Sequence, residues 1–343
     1  MKEVDVMRKG RGKGYLGITL LLLGVMFACV DAGHTAGKFP TKLVTLLVPY
    51  NTGGSMDNAA RGIQPYLQRH LGVPVVVMNL PGANGILGMN KVYDGPADGH
   101  TVLVAANSYF MHARLYAGQT RFEGDIFKAF APVASWHNGD AQVICVKKES
   151  PIKNFDDLVA KAKGPGVTFG LGGGMGGTDH FVALAIQKVY GGLWTIVPYQ
   201  SGGELAASIL GGQIDTGPVG IATAAGSQNL FRALVHTGAK RIVHLPDCPT
   251  FVELGQKSLD IGYHVGGMVK RGTDPEIISI LEQGILKAAN DPDFRKWAEN
   301  TKTPAGEPYN TQTWREYLEN VNQSTAGVVP LMQESLRQLQ KGK

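Results

Sequence analysis

"VPYNTGGSMD", residues Val48 to Asp57, runs from an apolar stretch through a glycine pair into a helical pattern. The chain writes nearly the same phrase again at Val197 to Ala206, as "VPYQSGGELA". Each copy reads as a strand leaving a sheet through a tight turn into a helix. In open α/β sheets ligands sit beyond the carboxyl ends of the strands, where helices begin. A helix start offers unpaired N–H groups and about half a positive charge, so it attracts anions. Gly53-Gly54 and Gly202-Gly203 let backbone approach a ligand with no Cβ in the way. Asn51, Ser55, Gln200 and Ser201 add donors, and Tyr50 and Tyr199 add amphipathic walls. Either copy alone is accounted for by a capped turn with no ligand. Two copies facing each other across a hinge would hold the two ends of a small organic acid.

The surrounding sequence sets the bounds. There are 343 residues, 43% hydrophobic and 18% charged, which is a globular composition large enough for two medium domains. The 46 glycines sit in short clusters without a collagen-like period. Formal net charge is +5, but five basic and two acidic residues precede residue 29; the rest carries 28 basic and 26 acidic residues. That balance excludes a nucleic-acid footprint. The nine histidines are scattered and no C-x-x-C or H-E-x-x-H occurs, so neither a metal nor another cofactor is expected.

The first 28 residues have the proportions of a secretory signal. Arg8, Lys9, Arg11 and Lys13 lead into "YLGITLLLLGVMFA", Tyr15 to Ala28, which is apolar but short of the ~20 residues that span a bilayer. "MFAC" places Cys29 as a lipidation site, with cleavage after Ala32 as the alternative. "VDAGHTAGK" then reads as a tether over 29–38, reaching at most ~30 Å. Removing the leader leaves Cys145, in the apolar run "AQVICVKK", and Cys248, in "LPDCPT". Their contexts suggest different layers, and the expectation is two free thiols.

Beyond residue 39 the pattern alternates strand and helix, which demands parallel pairing. "LVTLLV" is a strand covered on both faces. The next helix carries Met56, Ala59, Ala60, Ile63, Leu67 and Leu71 inward and stops at Gly72, with a kink expected from Pro65. "VPVVVM" and "HTVLVAA" supply further strands. The second half repeats the theme with "VTFGLG", a helix from Thr178 to Tyr190 turning Phe181, Leu184, Ala185 and Val189 inward, then "WTIVPY", "GELAASIL", "IDTGPVG" and "FRALVHTG". From Asp274, capped ahead of Pro275, the chain is mostly helical. "GLGGGMGGTDH" contains G-x-G-x-x-G, but no acid ends the next strand, so a dinucleotide site is not supported. A third anion- or hydroxyl-binding helix start, with Thr178 offering its hydroxyl, fits better.

Taken in order, "FPTKLVTLLVPYNTGGSMDNAAR", "VVVMNLPGANGILG", "PADGHTVLVA", "TDHF", "VPYQSGGELAASILGGQID" and "LPDCPTFVELG" resemble the extracytoplasmic solute receptors of tripartite tricarboxylate transporters, the Bug family. The resemblance runs from Phe39 to about Asn300. It implies an α/β, two-lobed type II periplasmic-binding-protein fold, each lobe a mainly parallel sheet flanked by helices, with the ligand cleft at the hinge. The implied division is a signal peptide at 1–28, a tether at 29–38, lobe 1 at 39–144, lobe 2 at 145–262, and a return to lobe 1 with C-terminal helices at 263–343. By motif, Tyr50, Asn51, Gly53, Gly54, Ser55, Asp57, Asn84, Thr178, Tyr199, Ser201, Gly202, Gly203 and Asp215 fall on the pocket-forming segments. Asp57 and Asp215 also have plain structural readings, as a first-turn acid and a strand-end hydrogen-bonder. Asn51 and Thr52 stand where smaller or apolar residues are commoner in the family, and Cys248 replaces a usual valine.

Function on this reading is capture of a small organic carboxylate by a monomer in the periplasm, anchored to the membrane through Cys29, and delivery to the permease subunits. The alternatives are an exported enzyme or a ligand sensor for a signalling partner using the same cleft. No local nucleophile motif places Ser55, Asp57, Asp179, His180 or Asp215 for catalysis.

Overall fold

The computed structural model describes residues 39–341 except 239, 260, 327 and 328. The leader, the tether and Cys29 therefore lie outside the described residues. Lobe 1 opens with β1 (Val44–Val48), α1 (Ser55–Leu71), β2 (Val75–Asn79), α2 (Ile86–Asp94), β3 (Thr101–Ala106), α3 (Tyr109–Leu115), the short α4 (Ile126–Ala129) and β4 (Phe130–Asp140). Lobe 2 comprises β5 (Gln142–Lys147), α5 (Phe155–Lys163), β6 (Val167–Leu171), α6 (Thr178–Tyr190), β7 (Trp194–Pro198), α7 (Gly202–Leu210), β8 (Gly217–Gly220), α8 (Ile221–Gly226) and β9 (Phe231–His236). The chain returns through β10 (Tyr263–Lys270) to α9 (Pro275–Ala289), α10 (Pro292–Thr301), α11 (Thr311–Ala326) and α12 (Val329–Lys341).

The first sheet has the order β2-β1-β3-β10-β4. The β1 pairings with β2 and β3 are parallel, as the strand–helix alternation requires, and β10 is antiparallel to both β3 and β4. In the second lobe β6 and β7 pair in parallel, β5 lies antiparallel between β8 and β9, and a parallel bridge from Phe169 to Thr216 joins the two groups. The sheets are thus mixed. Parallel pairing stays with the βαβ units, while the strands that enter or leave a lobe run antiparallel. β4 and β10 are those strands in lobe 1, and the sequence reading had missed both. "FAPVASWHNGD" carries Pro132 and Gly139, and "YHVGGMVK" a glycine pair, so neither shows a clean period of two.

Helix α1 buries Met56, Ala59, Ala60, Ile63 and Leu67, runs unbroken past exposed Pro65, and ends at Gly72 with φ +72°. Its stripe packs on a core of β1, β3 and α9 side chains, with Trp136 and Trp314 fully buried among them. Helix α6 departs from expectation. Its buried side is Thr178, Asp179, His180, Val182, Ala183 and Ile186, while Val189 is exposed. The helix is covered on two sides, by its own sheet and by α12, with His180 Nε2 3.2 Å from Ser335 Oγ, so one apolar stripe does not describe it. Cys145 and Cys248 are free and buried, but in one shared cluster and not in separate layers. Burial pushes the Cys248 thiol up to about 12, so it is inert as a nucleophile.

Candidate ligand-binding cleft

The carboxyl ends of β1, β3, β6, β7 and β8 converge on one cavity of about 130 Å³ between the lobes. Tyr50, Asn51, Gly54, Ser55 and Asp57 line it from the first turn, Thr178 from the glycine run, and Ser201 and Gly202 from the repeated turn. Helix starts of α1, α6 and α7 therefore face one space. Lysine and arginine are absent from its lining among the described residues.

In each of the three turns an acid of the next helix reaches back to the turn's own amides. Asp57 Oδ2 accepts from Gly53 N at 2.9 Å, Asp179 Oδ2 from Gly172 N and Gly173 N at 2.7 and 3.1 Å, and Glu204 Oε2 from Gln200 N at 3.0 Å. Burial alone would raise the Asp57 carboxyl. Hydrogen bonds from Arg61, Gly53 and Asn79 outweigh it and hold the group below the usual carboxylate range. Burial wins at Asp179, which is pushed up to about 6 despite its two amide bonds. These acids fix the turns rigidly, and they occupy amides that could otherwise have met an anion. What remains for a ligand is the first-turn N–H groups, which have no acceptor within the helix.

Five expected residues fall outside the lining. Gly53 N is held by Asp57, with φ +83° at the turn. Gly203 lies within the first turn of α7 and is exposed. The Tyr199 ring edge packs on Gly170, 3.2 Å from where a Cβ would stand, covering the second sheet. Asn84, at φ +52°, donates from Nδ2 to Met175 O at 2.9 Å and so ties lobe 1 to lobe 2. Asp215 is the clearest correction. It accepts from Thr168 N and Thr168 Oγ1 and pairs with Lys161, at the entry end of β6, the opposite end from the cavity.

Sequence reading missed other members. Ser108 and His112 follow β3, where the rule of strand carboxyl ends would have pointed. Gln142 and Tyr263 sit on the strands that cross between lobes, and Pro218 and Gly220 at the end of β8. His112 Nδ1 is 2.9 Å from Tyr50 Oη, which also lies 3.2 Å from Asn84 O. Its Nε2 is buried without a partner, and burial, helped by His180, lowers it to about 4, so the ring is neutral. No cavity serine is hydrogen-bonded to His112, Asp57 or Asp179 among the described residues.

Solved structures share this architecture. The R. palustris protein Rpa4515, solved with adipate, superposes with a TM-score of 0.75 at 23% identity, covering 86% of this chain and 98% of its own. MatC from Rhodopseudomonas palustris, with bound malate, gives 0.72 at 21% identity, covering 85% and 100%. Likeness at that identity establishes the fold, that of periplasmic binding proteins. By sequence, protein BugT of Bordetella pertussis is 31% identical over 281 residues, 78% of this chain and 83% of its own. Residues 59–330 match the family model described as tripartite tricarboxylate transporter family receptor. With most of its length inside that match, the chain belongs to the tripartite tricarboxylate transporter receptor family.

Proposed function

We propose that this receptor captures a small organic carboxylate between its lobes and delivers it to the membrane permease subunits of a tripartite transporter. One observation carries the reading: three helix starts converge on a small cavity that holds hydroxyls, amides, a neutral histidine and the amide-bonded acids Asp57 and Asp179, but neither lysine nor arginine among the described residues. Such a site favours a delocalised anion through N–H groups and helix dipoles. The volume of about 130 Å³ limits the ligand to a few carbons and its waters. Dicarboxylates bound by structural neighbours, malate and adipate, have the right chemistry to try first. Membership of a receptor family supports a reading of binding without catalysis.

The test is a thermal-shift screen of mono-, di- and tricarboxylates followed by calorimetry. A ligand at 100 times its Kd adds about 2.7 kcal/mol of stability. We expect at least one acid to bind, and its methyl ester to bind about 10-fold worse, since hydrogen bonds to a charged group contribute ~1.5–3 kcal/mol. Equal affinity for acid and ester refutes the reading, and consumption of the acid by purified protein restores the enzyme.

Export and lipidation at Cys29 are part of the proposal and rest on the leader's charge and hydropathy pattern. Among the described residues no helix is long and apolar enough to cross a membrane. Mass spectrometry of the mature N-terminus decides between diacylated Cys29 and an unmodified chain starting at Gly33.

A further inference from the structure

A second cavity adjoins the first across the hinge strands, the two sharing Thr178 in their linings. β10 and the residue before it send Tyr263 into the cleft described above and Gly262 and His264 into a space behind; at the other crossing Gln142 faces front and Ala141 rear. Strand alternation of period two produces this division. The rear cleft has a volume of about 1180 Å³ and is lined from both lobes. Its charge is the reverse of what the front lining shows. Lys240, Arg241, Lys257, Arg295 and Lys302 surround it, and Glu299 is the one acidic side chain of its lining among the described residues.

Part of that charge is committed. Arg241 pairs with Glu253 at 2.9 Å, and Arg295 donates to Ala305 O and Asn290 Oδ1. Lys302 Nζ uses one donor on Ala225 O at 2.9 Å, a bond that joins α10 to lobe 2, and keeps two. His236 also lines the cleft. It is 0% exposed, its Nδ1 accepts from Gly238 N at 3.1 Å, and its Nε2 is buried with no partner. Burial lowers it to about 4, so the ring is neutral and the proton sits on Nε2. Folded proteins rarely leave a buried donor unmet. His236 belongs to the lining of this basic cleft, and an anionic oxygen brought to its Nε2 would meet that donor.

We propose that the rear cleft is a second binding site, for a small molecule presenting phosphate or carboxylate oxygens to His236 Nε2 and the cleft lysines, and that its occupant stabilises the lobe arrangement seen here. The coupling follows from the hinge. Lobes that rotate to open the front narrow the rear, so an occupant fitted to the rear at its present width opposes front opening. The coupling, unlike the rear site itself, rests on the front cleft being the carboxylate site.

Calorimetry with inorganic pyrophosphate and, separately, benzene-1,3,5-tricarboxylate distinguishes the two oxygen chemistries. We expect saturable binding of at least one with Kd below about 1 mM. Gly54→Val, which obstructs only the front, leaves it unchanged. His236→Phe weakens it about 10-fold, and Lys257→Gln and Lys302→Gln about threefold each. The two lysine variants keep the test open if the buried histidine variant fails to fold. At saturating anion, the front carboxylate (malate or adipate, whichever binds) should bind at least about threefold tighter, and the effect is reciprocal. Absence of saturable binding by both anions, binding unaltered in every rear variant, or binding lost in Gly54→Val overturns the site. Unchanged or weakened carboxylate affinity overturns the coupling.

Discussion

The two copies of the glycine phrase fold differently. After "VPYNTGGSMD" helix α1 starts at Ser55, with Gly54 as its N-cap. After "VPYQSGGELA" helix α7 starts at Gly202, with Ser201 as its cap, so the helix begins two residues earlier relative to the phrase. The acids explain the slip. Asp57 and Glu204 each occupy the third helical position and each reach back to the amide just before the cap, at Gly53 and Gln200. Helix start is set by where the acid stands, as in a capping box. In the first copy the glycine pair forms the turn; in the second it becomes the first helical turn. Burial then separates them further. Asp57 is 2% exposed and bonded to Asn79 and Arg61, whereas Glu204 is exposed.

The largest expected effect tests the slip at the glycines. A Cβ on Gly54 would meet only Asn51 O, at 3.9 Å, and one on Gly202 no atom within 4 Å, so both positions tolerate a side chain that would fill ligand space. Gly54→Val and Gly202→Val should each weaken carboxylate binding at least about 30-fold, roughly 2 kcal/mol. Gly203→Val should bind normally, because Gly203 is off the cavity; equal loss at 202 and 203 would mean that the two copies are aligned as the letters suggest.

Next come the tyrosines. Tyr50→Phe removes the hydroxyl that holds His112 and should weaken binding by about 3- to 10-fold, the range of one hydrogen bond. Tyr199→Phe should have no effect, since that ring packs on Gly170 outside the cavity. Calorimetry on the pair reads the difference directly.

Stability separates the acids. Asp57→Asn should cost about 1–2 kcal/mol in urea unfolding at pH 7, the scale of a lost charge-assisted bond. Glu204→Gln should leave the midpoint unmoved. The Asp57 carboxyl is depressed in the folded state, so its contribution is present above the unfolded value near 3.8 and is lost as pH falls through the folded one. The variant should therefore be less sensitive to acid below about pH 4. An Asp57→Asn protein with wild-type stability would mean that the buried acid is not what anchors the first turn.

Smallest is a pH effect at the third turn. Asp179 is raised to about 6, so the stability it contributes is complete below its unfolded value near 3.8 and is lost as pH rises through 6. Protonating it also removes a negative charge from the lining. Carboxylate affinity should be roughly threefold higher at pH 5 than at pH 7.5, and Asp179→Asn should flatten that slope. A slope that survives in the variant places the titration elsewhere.

Much of this molecule was written locally. Strand–helix alternation, the stop at Gly72, the Asp274 cap and the three glycine turns are readable because each depends on neighbours within about four residues. Even the slip was legible in principle, from the two-residue offset between Asp57 and Glu204. Tertiary structure decided the rest. Whether Tyr199 faces a ligand or a sheet, whether Asp215 sits at the entry or exit end of β6, and whether Asn84 binds solute or Met175 all depend on contacts between residues far apart in sequence. So does the hinge: Tyr263 and His264, neighbours on β10, line two different cavities, a division that only the packed lobes create. Short-range hydrogen bonding and periodicity make most helices and the parallel strands legible, β4 and β10 excepted; which helix starts line the cleft follows from packing, because burial is a property of the whole fold.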